Sequence, residues 1–194
     1  MRSTVPVLLL DLDGVLNPFA APACPDGYQE RVFFEGEGPE RYCVAHGDWI
    51  RELAAAGELW WATGWGEHAN ERYLPLLGVD PLPVVRFPPA PFEPELKVPA
   101  VDAVVGDRPA AWIDDNHTPT GRRWAAGRVA PTLLVSIDPA IGWTRADVDR
   151  VLDWVRSLPR PARPRPPGRS RRHPRPFGRR QDGTGNATNA SDRA

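Results

Sequence analysis

Four short apolar runs, each breaking off at a polar or acidic residue and separated by stretches of helical periodicity, constrain this chain more tightly than any other feature. They cover residues 5–10, 59–62, 111–113 and 132–136. A strand that is apolar throughout rather than alternating is buried on both faces, the situation of a parallel sheet covered by helices. The intervening segments supply that cover. Residues 47–56 put Trp49, Ile50 and Leu53 on one helical face, and residues 67–77 do the same with Tyr73, Leu76 and Leu77. A weaker helix is expected over 119–126. The last, 146–158, opens at Thr144 with Asp147 three residues on, a capping-box-like start, and buries Val148, Val151, Leu152 and Val155. The expectation is an α/β fold with a parallel sheet and helices on both faces.

Residues 18–45 interrupt the first strand-to-helix crossover, and 31–34 with 42–44 around Gly36 and Gly38 read as a hairpin, a small flap. A chain of 194 residues, 41% hydrophobic, can bury one sizeable core, which favours a single domain. Its formal net charge of -1 averages two unlike parts. Residues 1–158 carry about nine more acidic than basic side chains, whereas 159–194 hold ten Arg against Asp182 and Asp192. The expected organisation is a domain over 1–158 and a Pro/Arg-rich tail over 159–194, too poor in aliphatic residues to order.

Cys24 and Cys43 match neither a disulfide framework nor a zinc spacing, so a reduced, cytoplasmic setting is the simpler reading. The N-terminal apolar run stops at Asp11, too soon for a signal peptide, and no stretch approaches the roughly 20 apolar residues of a membrane span. His46, His68 and His117 show no metal spacing and read as surface or capping residues. Trp60, Trp61, Trp65 and Trp112 read as core, with Trp65, just past a strand end, the one candidate stacking platform.

The chemistry gathers where the strands end. The first run opens into Asp11-Leu12-Asp13-Gly14-Val15-Leu16-Asn17, two carboxylates beside a glycine turn. In an open parallel sheet, ligands bind beyond the carboxyl ends of the strands, so both acids belong to the expected site. Taken alone, Asp-x-Asp-Gly also fits a polar turn or a calcium loop, although residues 18–23 lack the further oxygen ligands and terminal Glu of the latter. The second run ends in Thr63-Gly64-Trp65 and the third in Asp114-Asp115-Asn116. A strand-ending turn and a helix cap are the bland alternatives. Lys97 is the single lysine among 24 basic residues, which suggests a need for a compact ammonium rather than the planar fork of Arg. It lies at the start of an expected short helix.

The ordered set Asp11-x-Asp13-Gly-Val, Thr63, Lys97 and Asp114-Asp115 resembles the four signatures of the haloacid dehalogenase (HAD) superfamily. The resemblance implies a Rossmann-like, HAD-like sheet, here with a small hairpin flap in place of a full cap domain. It implies a Mg2+-dependent phosphohydrolase acting on a phosphorylated substrate. Asp11 would be the nucleophile, Asp13 the general acid and base, and Thr63, Gly64 and Lys97, with Asp11, the phosphate-binding groups. Metal ligands would be Asp11, Asp13 through its carbonyl, and one of Asp114 and Asp115. An acid at position 13 points to phosphate esters, because a dehalogenase needs no proton donor there. Trp-Ala-Thr-Gly-Trp near Thr63, Ala-Trp-Ile-Asp-Asp ending at Asp115 and the Asp-Pro-x-x-Gly segment 138–142 also resemble HAD domains associated with bacterial RNA-repair proteins. That likeness brings in an RNA-end phosphatase as an alternative, beside a catalytically silent binding module. The basic tail would then hold nucleic acid, although a solvated terminus is the simpler reading.

Overall fold

Val7 to Leu10 are all fully buried and form strand β1 (Val7–Leu10) at the centre of a sheet. The computed structural model describes residues 5–89 and 92–159, and the expected tail lies outside them apart from Pro159. β1 pairs in parallel with β4 (Glu58–Trp61) on one side and β5 (Ala110–Asp114) on the other, and β5 pairs in parallel with β6 (Thr132–Ser136). The order β4-β1-β5-β6 makes this an α/β fold. Continuous burial of β1 and β5 follows from their central places, whereas β6, at an edge, is mostly half-buried. The β4 edge is covered locally, since Trp61 N–H donates to Pro83 O at 2.8 Å and Trp61 O accepts from Val85 N–H at 2.8 Å.

Side-chain alternation splits β1 between two cores. Leu8 and Leu10 pack with Ile50 and Leu53 of α1 (His46–Ala56) and with Val148, Val151 and Leu152 of α5 (Arg145–Ser157). Val7 and Leu9 pack with Val98, Val101 and Val105 of α3 (Lys97–Val105). Helices therefore cover both faces, and each fully buried Leu contributes about 1.5–3 kcal/mol. The expected helix over 119–126 is α4 (Pro119–Gly127), and α5 opens with the expected capping box of Thr144 and Asp147. None of these helices is long and apolar enough to cross a membrane.

Two expected elements take a different form. Residues 67–77 are a π turn (Ala69–Tyr73) followed by the short α2 (Leu74–Leu77). Pro75 has no N–H for the carbonyl four residues back, and Leu74 N–H reaches Ala69 O instead. The hairpin consists of β2 (Gln29–Arg31) and β3 (Glu40–Tyr42), so its first strand ends where 31–34 was expected to begin. Phe33 and Phe34 leave the ladder to pack on Trp65, at ring separations of 5.2 and 4.9 Å. Aromatic burial wins over strand extension there.

The histidines correct a second expectation. Among the described residues His46 and His117 are buried rather than superficial, and His68 is exposed. His46 lies among Tyr28, Trp49 and Trp143, with Nε2 3.4 Å from the Tyr28 hydroxyl. Its Nδ1 has no hydrogen-bond partner among the described residues, so a proton added there would find no acceptor. Burial accordingly lowers its pKa from 6.5 to about 4. Between those values the unfolded chain binds more protons than the folded one, so His46 costs stability as pH falls from 6.5 towards 4. His46→Gln, which cannot titrate, should remove about 2–3 kcal/mol of the stability difference between pH 7 and pH 4.5. Urea unfolding of both proteins at the two pH values measures this.

Candidate active site

The parallel ladder fixes which residues meet. Leu10 is in register with Trp61 on β4 and with Ile113 on β5, so the chain leaves all three strands at one edge. Asp11 N–H donates to Ile113 O at 3.0 Å, and Ala62 N–H donates to Leu10 O at 2.8 Å. Asp11, Thr63 and the Asp114–Asp115 pair thus emerge side by side at β1, where the sheet order reverses as the chain adds β4 on one side and then β5 on the other. Such a reversal opens a crevice at the carboxyl ends of the strands.

Lys97 closes the group from a separate helix. Its Nζ donates to Asp11 Oδ2 at 2.5 Å and to Asp114 Oδ2 at 2.8 Å, with Asp11 and Asp114 almost wholly shielded from solvent. A cation in the first turn of a helix opposes the macrodipole, and here two carboxylates offset that penalty. Burial pulls Lys97 towards neutrality, but Asp11 and Asp114 outweigh it and raise its pKa, so it stays charged.

Each acid is held by its own donors. Asp11 Oδ1 accepts from Leu12 N–H at 2.8 Å. Asp114 Oδ1 accepts from Asn116 N–H at 2.8 Å, and its Oδ2 accepts from Trp112 Nε1–H at 3.1 Å as well as from Lys97. His117 pins the following loop, with Nε2 3.1 Å from Trp112 O and Nδ1 3.4 Å from Ser136 Oγ. Gly14 adopts φ +72°, and a Cβ there would lie 2.4 Å from the Asp115 carboxylate. Only glycine lets these two loops approach so closely.

Asp11, Asp114 and Asp115 each bring a carboxylate oxygen to within 4.8 Å of the others, an arrangement that could hold a metal ion. Three acids share one ammonium. Burial and Asp114 raise the pKa of Asp11 well above the usual carboxylate range, and the same two causes lift Asp115 to about 6. A divalent cation would supply the missing charge, and an all-oxygen donor set suits a hard one.

A cavity of about 220 Å³ opens over this cluster, lined by Asp11, Asp13, Gly64, Phe92, Pro94, Lys97, Asp115 and Asn116. Of the residues expected in the site, Asp11, Asp13, Gly64, Lys97 and Asp115 line it, whereas Thr63 and Asp114 do not. Thr63 is buried just before Gly64, its Oγ1 accepting Trp65 N–H at 3.3 Å, and Asp114 is fully buried and bonded to Lys97. A larger depression of about 540 Å³ occupies the opposite rim, lined by Asp102, Gly106, Asp107, Arg128, Val129 and Ala130. Arg128 there is already bonded to the carbonyls of Gly106 and Arg108. It offers no comparable cluster of acids.

Other participants were not assigned a part from sequence. Trp112 read as core, yet it shares a strand face with Asp114 by the period of two, a relation visible in the sequence. Trp65, read as core with a stacking platform as the alternative, is buried, and its Nε1–H donates to Asp13 Oδ2 at 3.0 Å across 52 residues. Glu40, half-buried on β3, is raised to about 7 by burial first and then by Asp13 and Glu37. No local pattern marks either contact.

No family model, curated protein or solved structure matches this chain.

Two outcomes follow from the geometry. Millimolar MgCl2 should raise the melting temperature of the wild-type protein but leave Asp114→Asn almost unmoved, as differential scanning fluorimetry can show. Gly14→Ala should cost about 1–3 kcal/mol through the positive φ and the Asp115 contact, and should weaken metal binding measured by calorimetry.

Proposed function

We propose that this protein is a magnesium-dependent phosphomonoesterase that works through an aspartyl-phosphate on Asp11. The observation that carries the reading is the bridging of Asp11 and Asp114 by Lys97 Nζ, at the carboxyl edge of the parallel sheet. Burial and crowding there favour any ligand set that adds positive charge, and the order of the signature residues is that of HAD phosphatases.

In this reading Asp11 attacks phosphorus in line and displaces the leaving oxygen, which Asp13 protonates. Asp13 then takes a proton from the water that hydrolyses the aspartyl-phosphate. Lys97, the Thr63 hydroxyl and the Gly64 N–H hold the equatorial oxygens as their charge develops. Mg2+ held by Asp11, Asp114 and Asp115, with the Asp13 carbonyl, would neutralise phosphate charge and orient the ester.

A second reading concerns the leaving group. At about 220 Å³ the cavity falls below the roughly 300 Å³ at which small-molecule pockets usually begin, so it suits a phosphoryl group whose remainder stays outside. A phosphate at a polynucleotide end meets that condition, and the ten arginines after Pro159 would add attraction for such a polymer.

The discriminating experiment is a panel of an aryl phosphate, small metabolite phosphates and phosphate-ended RNA, each with and without Mg2+. Magnesium-dependent release of phosphate is expected. Asp11→Asn should lower it by at least about 10³-fold while the circular dichroism spectrum is unchanged. Full activity in that variant would refute the assignment, and magnesium binding without turnover on any ester would favour a silent binding module. Deleting 159–194 should weaken retention on RNA at low salt if the tail binds it, with the domain's turnover of the aryl ester preserved.

A further inference from the structure

Both oxygens of the Asp13 carboxylate are engaged by groups that can only donate. Trp65 Nε1–H reaches Oδ2 at 3.0 Å, and Asn17 Nδ2 reaches Oδ1 at 3.1 Å. Neither donor is free to wander. The Trp65 ring is wedged between Phe33, Phe34 and Tyr73, all within 6.0 Å between centroids. Asn17 is fixed at further points. Its Oδ1 accepts Arg41 N–H at 3.1 Å, its Nδ2 also lies 3.4 Å from Glu40 Oε2, and its carbonyl accepts Gly14 N–H at 2.9 Å.

The hairpin that supplies these supports is itself strapped down. Arg41 donates to the carbonyls of Pro18 and Ala21 at 2.8 and 2.9 Å, Arg72 donates to Phe33 O, and the Tyr73 hydroxyl donates to Arg41 O at 3.2 Å. Its place is that of a fixed wall beside Asp13, with its aromatic residues turned to the indole.

We propose that Trp65 and Asn17 form a clamp, backed by the hairpin, that aims the Asp13 carboxylate for proton transfer in the reaction. The proposal rests on the phosphatase reading. Trp65 has no acceptor and cannot carry the proton, so it is a positioning residue acting through Asp13. Each oxygen of Asp13 keeps a further lone pair, so the clamp aims the carboxylate without occupying it.

A positioning role leaves a mark that a structural one does not. The ratio kcat/KM reports steps up to formation of the aspartyl-phosphate, where an alkoxide needs a proton and a nitrophenolate does not. Trp65→Phe should therefore lower kcat/KM for an alkyl phosphate by about tenfold or more and leave that for p-nitrophenyl phosphate within about twofold. In an Asp13→Asn background the same substitution should add almost nothing on the alkyl ester. Equal losses on the two esters, or full additivity with Asp13→Asn, would overturn the clamp.

A readout without turnover covers the case in which Trp65→Phe folds poorly. The indole 1H–15N resonance of Trp65 should move upfield in Asp13→Ala, where its acceptor is gone. A resonance that stays in place would sink the proposal. Absence of turnover on both esters by the wild-type protein would remove the phosphatase reading and the proton-transfer role with it, while the indole shift would still decide whether the contact exists.

Discussion

One ammonium between two buried carboxylates organises this molecule. Lys97 draws α3 to the edge of the sheet where β1 and β5 end, and it is the only cation among the residues lining the cavity. Breaking a buried charge cluster by removing one partner typically costs about 3–5 kcal/mol, because the remaining charges keep their desolvation penalty. The arrangement is therefore expensive to hold as it stands and relieved by added positive charge. A site so constructed could hold a metal ion.

The hairpin has a corresponding role on the other flank. It is tied through Asn17, Arg41, Arg72 and Tyr73, and its Phe33 and Phe34 hold the Trp65 ring. A segment anchored at so many points is a wall, and the cavity beside it stays small. Asp13 stands beside this wall, with Oδ1 accepting from Asn17 and Oδ2 from Trp65.

Much of this was legible in the residues. Apolar runs bounded by polar or acidic residues identified the strands, and the register of a parallel sheet brings Asp11, Thr63 and Asp114 to one edge. The isolated lysine stood out by composition. The π turn after Ala69 was also accessible in principle, since Pro75 breaks the helical ladder wherever it is placed. Less visible were the burial of His46 and His117, which no spacing betrays, and the shift of the hairpin strands. For His46 and the hairpin, aromatic packing from distant segments outweighed local preference, while His117 is buried against Trp112 five residues earlier.

By itself the sequence determined the class of fold and the identities of the chemically competent groups, because hydrophobic periodicity and residue type are local properties of the chain. Tertiary structure alone decided which donor faces which acid. Trp65 finds Asp13 across 52 residues and Lys97 finds Asp11 across 86. Those distances depend on the packing of two cores against one sheet, a property of volume and shape that no linear pattern carries.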